Sequence, residues 1–328
     1  MSGKPVRMIL VGAGFMGATH LEAAEKMASV QFVGVVDSRR SAAKALAAKN
    51  GIPDFETLEE GMQALQPDAA DICTPTPSHL AMIRICAAHG THVLCEKPLA
   101  LTPGDAERIR RVCDEKAIRL MTAQVLRFWP EYVYALDVAR RGKVGGIRSV
   151  LCRRLSSPPG WNSWMMKPGI GDGAGLDLQV HEMDFIYQLL GKPVAIQASG
   201  TDWGGAVNAV RNRLVYAGGV SAISEASYLM PASYPFRMAF ALEFENAVLE
   251  MDSWRPKGER LSVYPARGKS FFPVLSSASA YGAEIDYFAR RLKAKQPFDR
   301  VPMEGVIEVL RMCRASIKSC RTGKSVTP

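Results

Sequence analysis

Six residues near the start constrain this chain more than any other feature: Gly12-Ala13-Gly14-Phe15-Met16-Gly17. They follow Val6–Val11, an apolar run with β-branched residues that reads as a buried strand, and they open an Ala-rich helical stretch over 16–27. In that setting each glycine has a role. The first permits a tight turn, the second lets the backbone approach a pyrophosphate, and the third lets helix and strand pack closely. The helix start then offers N–H groups to phosphate charge. Asp37 ends the next predicted strand, over 31–36, and lies 20 residues beyond Gly17. A carboxylate there accepts hydrogen bonds from ribose hydroxyls, which favours NAD. Phe15 and Met16 are expected to cover the pyrophosphate turn, with Ser38 and Arg39 beside the ribose. Arg39 and Arg40 keep NADP open as a second cofactor, although the Asp37 carboxylate would repel a 2′-phosphate.

The periodicity continues in the same sense to about residue 125. Helical stretches over 41–49, 78–89 and 102–116 alternate with apolar runs over 71–74, 91–95 and 119–124. Thr102, with Asp105 three residues on, reads as an N-cap. Such alternation predicts an α/β Rossmann domain over 1–125, a doubly wound parallel sheet with helices on both faces. Beyond about 145 the texture changes. Ile147–Leu155 reads as a strand, and 176–190 as one long helix stopped by Gly191 and Pro193. Strand-like runs follow at 194–201, 208–216, 220–229, Arg237–Phe244, 247–251 and 261–264, then helices at about 283–295 and 303–321. Quick succession with tight turns predicts an α+β domain over 126–328, built on a large, mostly antiparallel open sheet flanked by helices. The alternating runs 222–229 and 238–244 suggest an apolar face for pairing as a homodimer or homotetramer.

Composition narrows the function classes. The chain has 328 residues, 48% hydrophobic and 22% charged, as expected of a soluble globular protein of two domains. Seven cysteines, an odd number without a CxxC pair, read as free thiols in a reducing compartment. No basic-then-apolar leader opens the sequence, and no apolar run approaches the roughly 20 residues that span a bilayer. A cytoplasmic protein without a membrane partner is expected. The net charge of +9 is scattered, and its basic pairs are not interleaved with aromatics, so no nucleic-acid partner is expected. The five histidines lack metal-ligand spacing, so no metal is expected.

Two segments after the glycine turn carry a resemblance. Asp71-Ile72-Cys73-Thr74-Pro75-Thr76-Pro77-Ser78-His79 and Cys95-Glu96-Lys97-Pro98 resemble the TP-x-x-x-H and EKP elements of the glucose–fructose oxidoreductase / inositol dehydrogenase / rhizopine catabolism (Gfo/Idh/MocA) family. The stretch 171–184 is similar to that family's GGG-x-x-x-D-x-G-x-H-x-x-D segment, with Asp177 and His181 at the acid and histidine positions. Two departures stand out: Asp172 replaces a usual Gly, and Gln179 stands where a small residue is common, a change that would alter pocket shape. The resemblance implies a catalytic Lys97 joined by Asp177 and His181. It also implies that Thr74, Pro75, Thr76 and His79 line the nicotinamide side, with Thr76 and His79 near the ribose.

The same residues support a chemistry directly. Oxidising an alcohol sends hydride to nicotinamide and a proton to a base at hydrogen-bond distance. Lys97 sits just past a predicted parallel strand, where open α/β sheets bind ligands, with Glu96 to position it. Asp177 and His181, four apart on a predicted helix, share one face and suit a polyhydroxyl ligand. Arg127 near the end of the first domain, Trp164 and Lys167 are further candidates for substrate contact, and Trp161–Lys167 is a candidate lid. The expectation is therefore an NAD(P)-dependent oxidoreductase acting on a CH–OH or C=O group of a sugar, cyclitol or related polyol. Redox-neutral use of bound nicotinamide, as in glycoside cleavage or epimerisation, and an NAD(P)- and sugar-binding sensor are the alternatives.

Overall fold

The computed structural model describes residues 4–160 and 163–328; Trp161 lies outside them. The chain divides into two compact units, Met1–Phe128 with Ala278–Val306, and Trp129–Ser277 with Ile307–Pro328. The segment 278–306 thus packs with the first unit, and the second is not one unbroken stretch.

In the first unit β1 (Val6–Val11), α1 (Phe15–Ala24), β2 (Val30–Val36), α2 (Arg40–Asn50), β3 (Asp54–Phe55), α3 (Leu58–Leu65) and β4 (Ala69–Ile72) lead to α4 (His79–Ala88), β5 (His92–Glu96), α5 (Pro103–Glu115) and β6 (Leu120–Ala123). The six strands lie in the order β3-β2-β1-β4-β5-β6, all parallel. The order reverses between β1 and β4, and in open α/β sheets ligands bind outside the strand ends at such a switch point. Strands β1, β4 and β5 are buried almost throughout, as continuous apolar runs require when helices cover both faces. Thr102 caps α5 as predicted, its hydroxyl accepting from the Asp105 N–H at 3.1 Å.

The second unit holds α6 (Pro130–Arg141), β7 (Ile147–Leu155), α7 (Val180–Leu190), β8 (Ala195–Trp203), β9 (Ala206–Val215), β10 (Ser221–Ser227), β11 (Arg237–Phe244), β12 (Ala247–Asp252) and β13 (Leu261–Pro265). Its seven strands run in the order β13-β12-β11-β7-β10-β9-β8, antiparallel except for the parallel pair β7–β10. A core of Tyr132, Phe185 and Phe240, with ring centroids 4.7–5.2 Å apart, joins α6 and α7 to the sheet. Helix α8 (Ala280–Lys293) falls in the first unit, and α9 (Met303–Thr322) begins there and continues in the second.

Two further expectations change. The stretch 176–190 is not one α-helix: a π-helical turn, Ala174–Leu178, precedes α7. The apolar residues foreseen as a pairing face (Met238, Phe240, Leu242 and Phe244, with Ala222 and Ala226) are buried within the unit. The alternate residues of those strands, including exposed Ile223 and Glu243, form the outward face, where Glu225 pairs with Arg153 and Arg211. Helices α3 and α6, unread in the sequence, carry their own signals, a Thr57/Glu60 capping box and Pro130 at the first position.

Candidate active site

The glycine turn behaves as its sequence requires. Gly12 has φ +108°, and a Cβ there would lie 2.6 Å from the Cys73 carbonyl oxygen. A Cβ on Gly17 would meet the Gly12 carbonyl. Gly14 differs: its φ of −83° suits any residue, and nothing lies within 4 Å of where its Cβ would be. No internal contact demands glycine at that point, so the open space fits the close approach of a pyrophosphate. Helix α1 has no side-chain cap and no acid in its first turn, which leaves its positive end for an anion.

Asp37 closes the turn from β2. Its carboxylate accepts the Ala13 N–H and the Arg39 N–H, each at 2.8 Å, and the Arg39 guanidinium lies 3.3 Å away. Partial burial raises the pKa of this carboxyl, but the Arg39 side-chain and backbone bonds and the Ala13 bond outweigh it and hold the pKa low. An ionised carboxylate stands at the ribose end of the fingerprint. Ser38, Arg39, Phe15 and Pro75 are exposed, Met16 and Thr74 are half-buried, and Thr76 is buried.

His79 is not open to a ligand in the way the resemblance implied. It is buried, with Nε2 2.9 Å from the Thr74 carbonyl and Nδ1 3.1 Å from that of Leu99. It therefore ties the loop after β4 to the loop after β5. Burial lowers its pKa against those bonds.

Glu96 is the last residue of β5, and half-buried Lys97 follows it, the Lys97–Pro98 peptide being cis. Glu96 Oε2 accepts the Lys97 backbone N–H at 2.8 Å. Glu96 Oε1 lies 3.2 Å from Nε2 of His20, a fully buried residue of α1. His20 Nδ1 is 2.9 Å from Asp71 Oδ2, and Cys73 Sγ is 3.6 Å from the same nitrogen. No sequence signal marks this cluster, because His20, Asp71 and Glu96 lie on three elements well separated along the chain. His20, Asp71 and Cys73 bring potential metal-ligand atoms within 4.8 Å of one another, although no metal was foreseen. The His20–Asp71 hydrogen bond accounts for that approach. Arg127, a candidate for substrate contact, is buried, and its Nη1 donates to the Arg300 carbonyl at 2.5 Å.

In the second unit Asp177 sits in the π-helical turn and His181 in the first turn of α7, both buried. Buried Tyr228, just past β10, donates its hydroxyl to Asp177 Oδ2 at 2.5 Å. The sequence did not reveal this partner; a tyrosine at a strand end carries no mark of it. Arg154 Nε is 2.9 and 2.7 Å from the two Glu182 oxygens, a buried ion pair. Half-buried Trp164 lies within a short 3₁₀ turn, Ser163–Met166, and exposed Lys167 follows it.

Residues 6–124 match the family described as "Oxidoreductase family, NAD-binding Rossmann fold", and residues 132–250 match the GFO/IDH/MocA C-terminal domain. The chain belongs to the Gfo/Idh/MocA family. Its first unit carries the NAD-binding Rossmann domain of that family. Among relatives, it is 33% identical to the rhizopine catabolism protein MocA of Rhizobium meliloti over 61% of this chain and 63% of that one. It is 32% identical to inositol 2-dehydrogenase of Rhizobium meliloti (strain 1021) over 59% and 58% respectively. The matched stretch thus spans about three-fifths of each relative. A levoglucosan dehydrogenase solved with NADH and levoglucosan has the same fold, with a TM-score of 0.87 at 19% identity over 99% of this chain and 100% of that one.

The two departures from the Gfo/Idh/MocA pattern have local explanations. Asp172 adopts φ +55°, where glycine is favoured; its carboxylate accepts the Gly169 N–H at 2.7 Å and pairs with Arg314 at 2.6 Å. Gln179 is fully buried and accepts from Asn212 at 2.9 Å while donating to Ser316, so it fastens the π-helical turn to β9 and α9. Its side chain is committed to that network.

Proposed function

We propose that this protein is an NAD-dependent oxidoreductase that moves a hydride between nicotinamide and a CH–OH or C=O carbon of a sugar, cyclitol or related polyol, with Lys97 as principal acid/base. One observation carries the reading: Lys97 follows directly on β5, at the carboxyl edge of the sheet whose switch point holds the glycine turn and Asp37. The bound dinucleotide supplies the hydride acceptor or donor. Lys97, as the amine, takes the hydroxyl proton on oxidation and returns it on reduction. Asp177, fixed by Tyr228, and His181 offer an acceptor and a ring nitrogen for hydroxyls; the half-buried Trp164 ring offers an apolar face. The names of the relatives, inositol 2-dehydrogenase and levoglucosan dehydrogenase, support the polyol class. The unit with β1–β6 binds the dinucleotide; the other recognises substrate and mediates self-association as a dimer or tetramer.

The test is a screen of cyclitols, pentoses, hexoses and anhydrosugars, read at the NADH absorbance band, followed by Lys97→Met on the best substrate. General acid/base loss predicts a fall in kcat of about 10²–10⁴-fold with NAD affinity retained. Full turnover by the variant would defeat the role of Lys97. A screen with no absorbance change would favour the redox-neutral or sensor alternative.

A further inference from the structure

His20 is a fully buried histidine on the helix that the glycine turn opens, and nothing so far assigns it a task. Its ring bridges two carboxylates from neighbouring strand ends, Nδ1 to Asp71 at 2.9 Å and Nε2 to Glu96 at 3.2 Å. The first is a hydrogen bond; the second is an ion-pair contact with less direct geometry. Glu96 uses its other oxygen to hold the Lys97 backbone N–H. A continuous path therefore runs from α1 through one imidazole and one carboxylate to the peptide of Lys97. Neutral imidazole donates from one nitrogen only, and its other nitrogen would turn a lone pair toward a carboxylate. Only the imidazolium satisfies both neighbours.

The surroundings agree. Cys73 faces the ring from the end of β4, and Tyr281 faces it from α8 with centroids 5.9 Å apart. Glu284 of α8 and, more remotely, Arg300 complete the charged groups of the cluster. Burial opposes a charge on His20, but Asp71 and Cys73 outweigh it and raise its pKa.

We propose that His20 is a positioning residue which, as an imidazolium, clamps Asp71 to Glu96 and so fixes the Lys97 turn relative to the helix that receives the pyrophosphate. The inference rests on the reading of Lys97 as acid/base. It makes the placement of the ammonium depend on a residue that touches neither cofactor nor substrate.

The test reads the lysine itself. Lysines of the full-length protein are reductively dimethylated with ¹³C-formaldehyde, and the Lys97 methyl resonance is assigned by its loss in Lys97→Met. It is then followed in His20→Asn, Glu96→Gln and the double variant. His20 acting through Glu96 predicts that each single variant moves the resonance and that the double moves it no further, because coupled sites are not additive. Turnover of His20→Asn on the screened substrate should fall about 100-fold, as slight misplacement can cause, with the NAD dissociation constant changed less than about threefold. An unmoved resonance in His20→Asn, or a double-variant shift equal to the sum of the singles, overturns the proposal. A moved resonance with full turnover by Lys97→Met leaves the clamp standing and removes the acid/base role instead. Should His20→Asn not fold, Asp71→Asn takes the charge from the other end of the same ring, and the same outcomes decide.

Discussion

Glu284 shows how much one buried carboxyl can govern. It has no exposed surface, and neither oxygen finds a hydrogen-bond partner among the described residues. Burial, joined by the repulsion of Glu96 and Asp71, raises its pKa well above the ordinary glutamate range against the pull of His20. The folded chain therefore holds this proton more tightly than the unfolded one. The resulting stability is fully present below the unfolded pKa of about 4.3 and is lost as pH rises through the folded value. Glu284→Gln carries no proton to lose, so its unfolding temperature should exceed that of the wild type at pH 8 and match it near pH 4. Each tenfold difference in proton affinity contributes about 1.4 kcal/mol. A variant whose advantage is the same at both pH values would refute this account. On the proposed function, Asp37 also sets the choice of cofactor. Its carboxylate would repel a 2′-phosphate, and it holds Arg39, which could otherwise bind that phosphate. Asp37→Ser should shift the ratio of kcat/KM toward NADP by roughly 10- to 100-fold, the equivalent of one charge-assisted hydrogen bond of about 1.5–3 kcal/mol. An unchanged cofactor ratio would place the ribose elsewhere. The strand-end positions of Asp37 and Lys97 were legible in the sequence, because each follows directly on an apolar run that reads as a strand. His20, Tyr228 and Glu284 were not, since each acquires its role from a partner 51 or more residues away or from burial.

Two helices of the first unit begin in opposite ways. Helix α3 satisfies its own start through the Thr57/Glu60 capping box, whereas α1 has neither a capping side chain nor an acid. Gly14 has the extended backbone of an N-cap and free space around it, so Gly14→Asp should cap α1 and answer its dipole. The variant should be more stable by about 0.5–1 kcal/mol, while its carboxylate occupies and repels the pyrophosphate seat. Thermal unfolding should show the gain, and calorimetry should show NAD affinity reduced at least about 100-fold. Retained affinity would mean that this helix end does not receive the phosphate. Gly17 differs, because a Cβ there collides with Gly12 backbone, and Gly17→Ala should damage folding itself. The elements were largely readable because strand and helix periods alternate cleanly before residue 125. The π-helical turn at Asp177 was not, because its apolar pattern continues that of α7; it lies between Gly173, whose Cβ would meet Asn208, and Gln179, which is bound to Asn212 and Ser316.

Across the whole molecule, the sequence suggests a clean succession of two domains, and the chain does otherwise. After the last strand of the second sheet it returns α8 to the first unit. Ile285, Phe288 and Ala289 of α8 have no exposed surface, Asp286 accepts the Ser29 hydroxyl at 2.6 Å, and Arg119 donates to the Arg291 and Leu292 carbonyls at 3.0 and 3.2 Å. No local pattern could disclose this, because an amphipathic helix announces that it has a buried face and not which sheet covers it. Burying one Ile and one Phe side chain contributes about 3–6 kcal/mol, comparable to the whole net stability of about 5–15 kcal/mol that a domain possesses. Residues 1–128 alone should therefore fail to fold cooperatively, despite holding every strand of the Rossmann sheet and the complete glycine fingerprint. Joining 1–128 to 278–306 through a flexible Gly/Ser linker should restore both a cooperative thermal transition and NAD binding by calorimetry. If the shorter fragment unfolds cooperatively and binds NAD as tightly as the full chain, α8 is a covering for the dinucleotide domain and not part of its core.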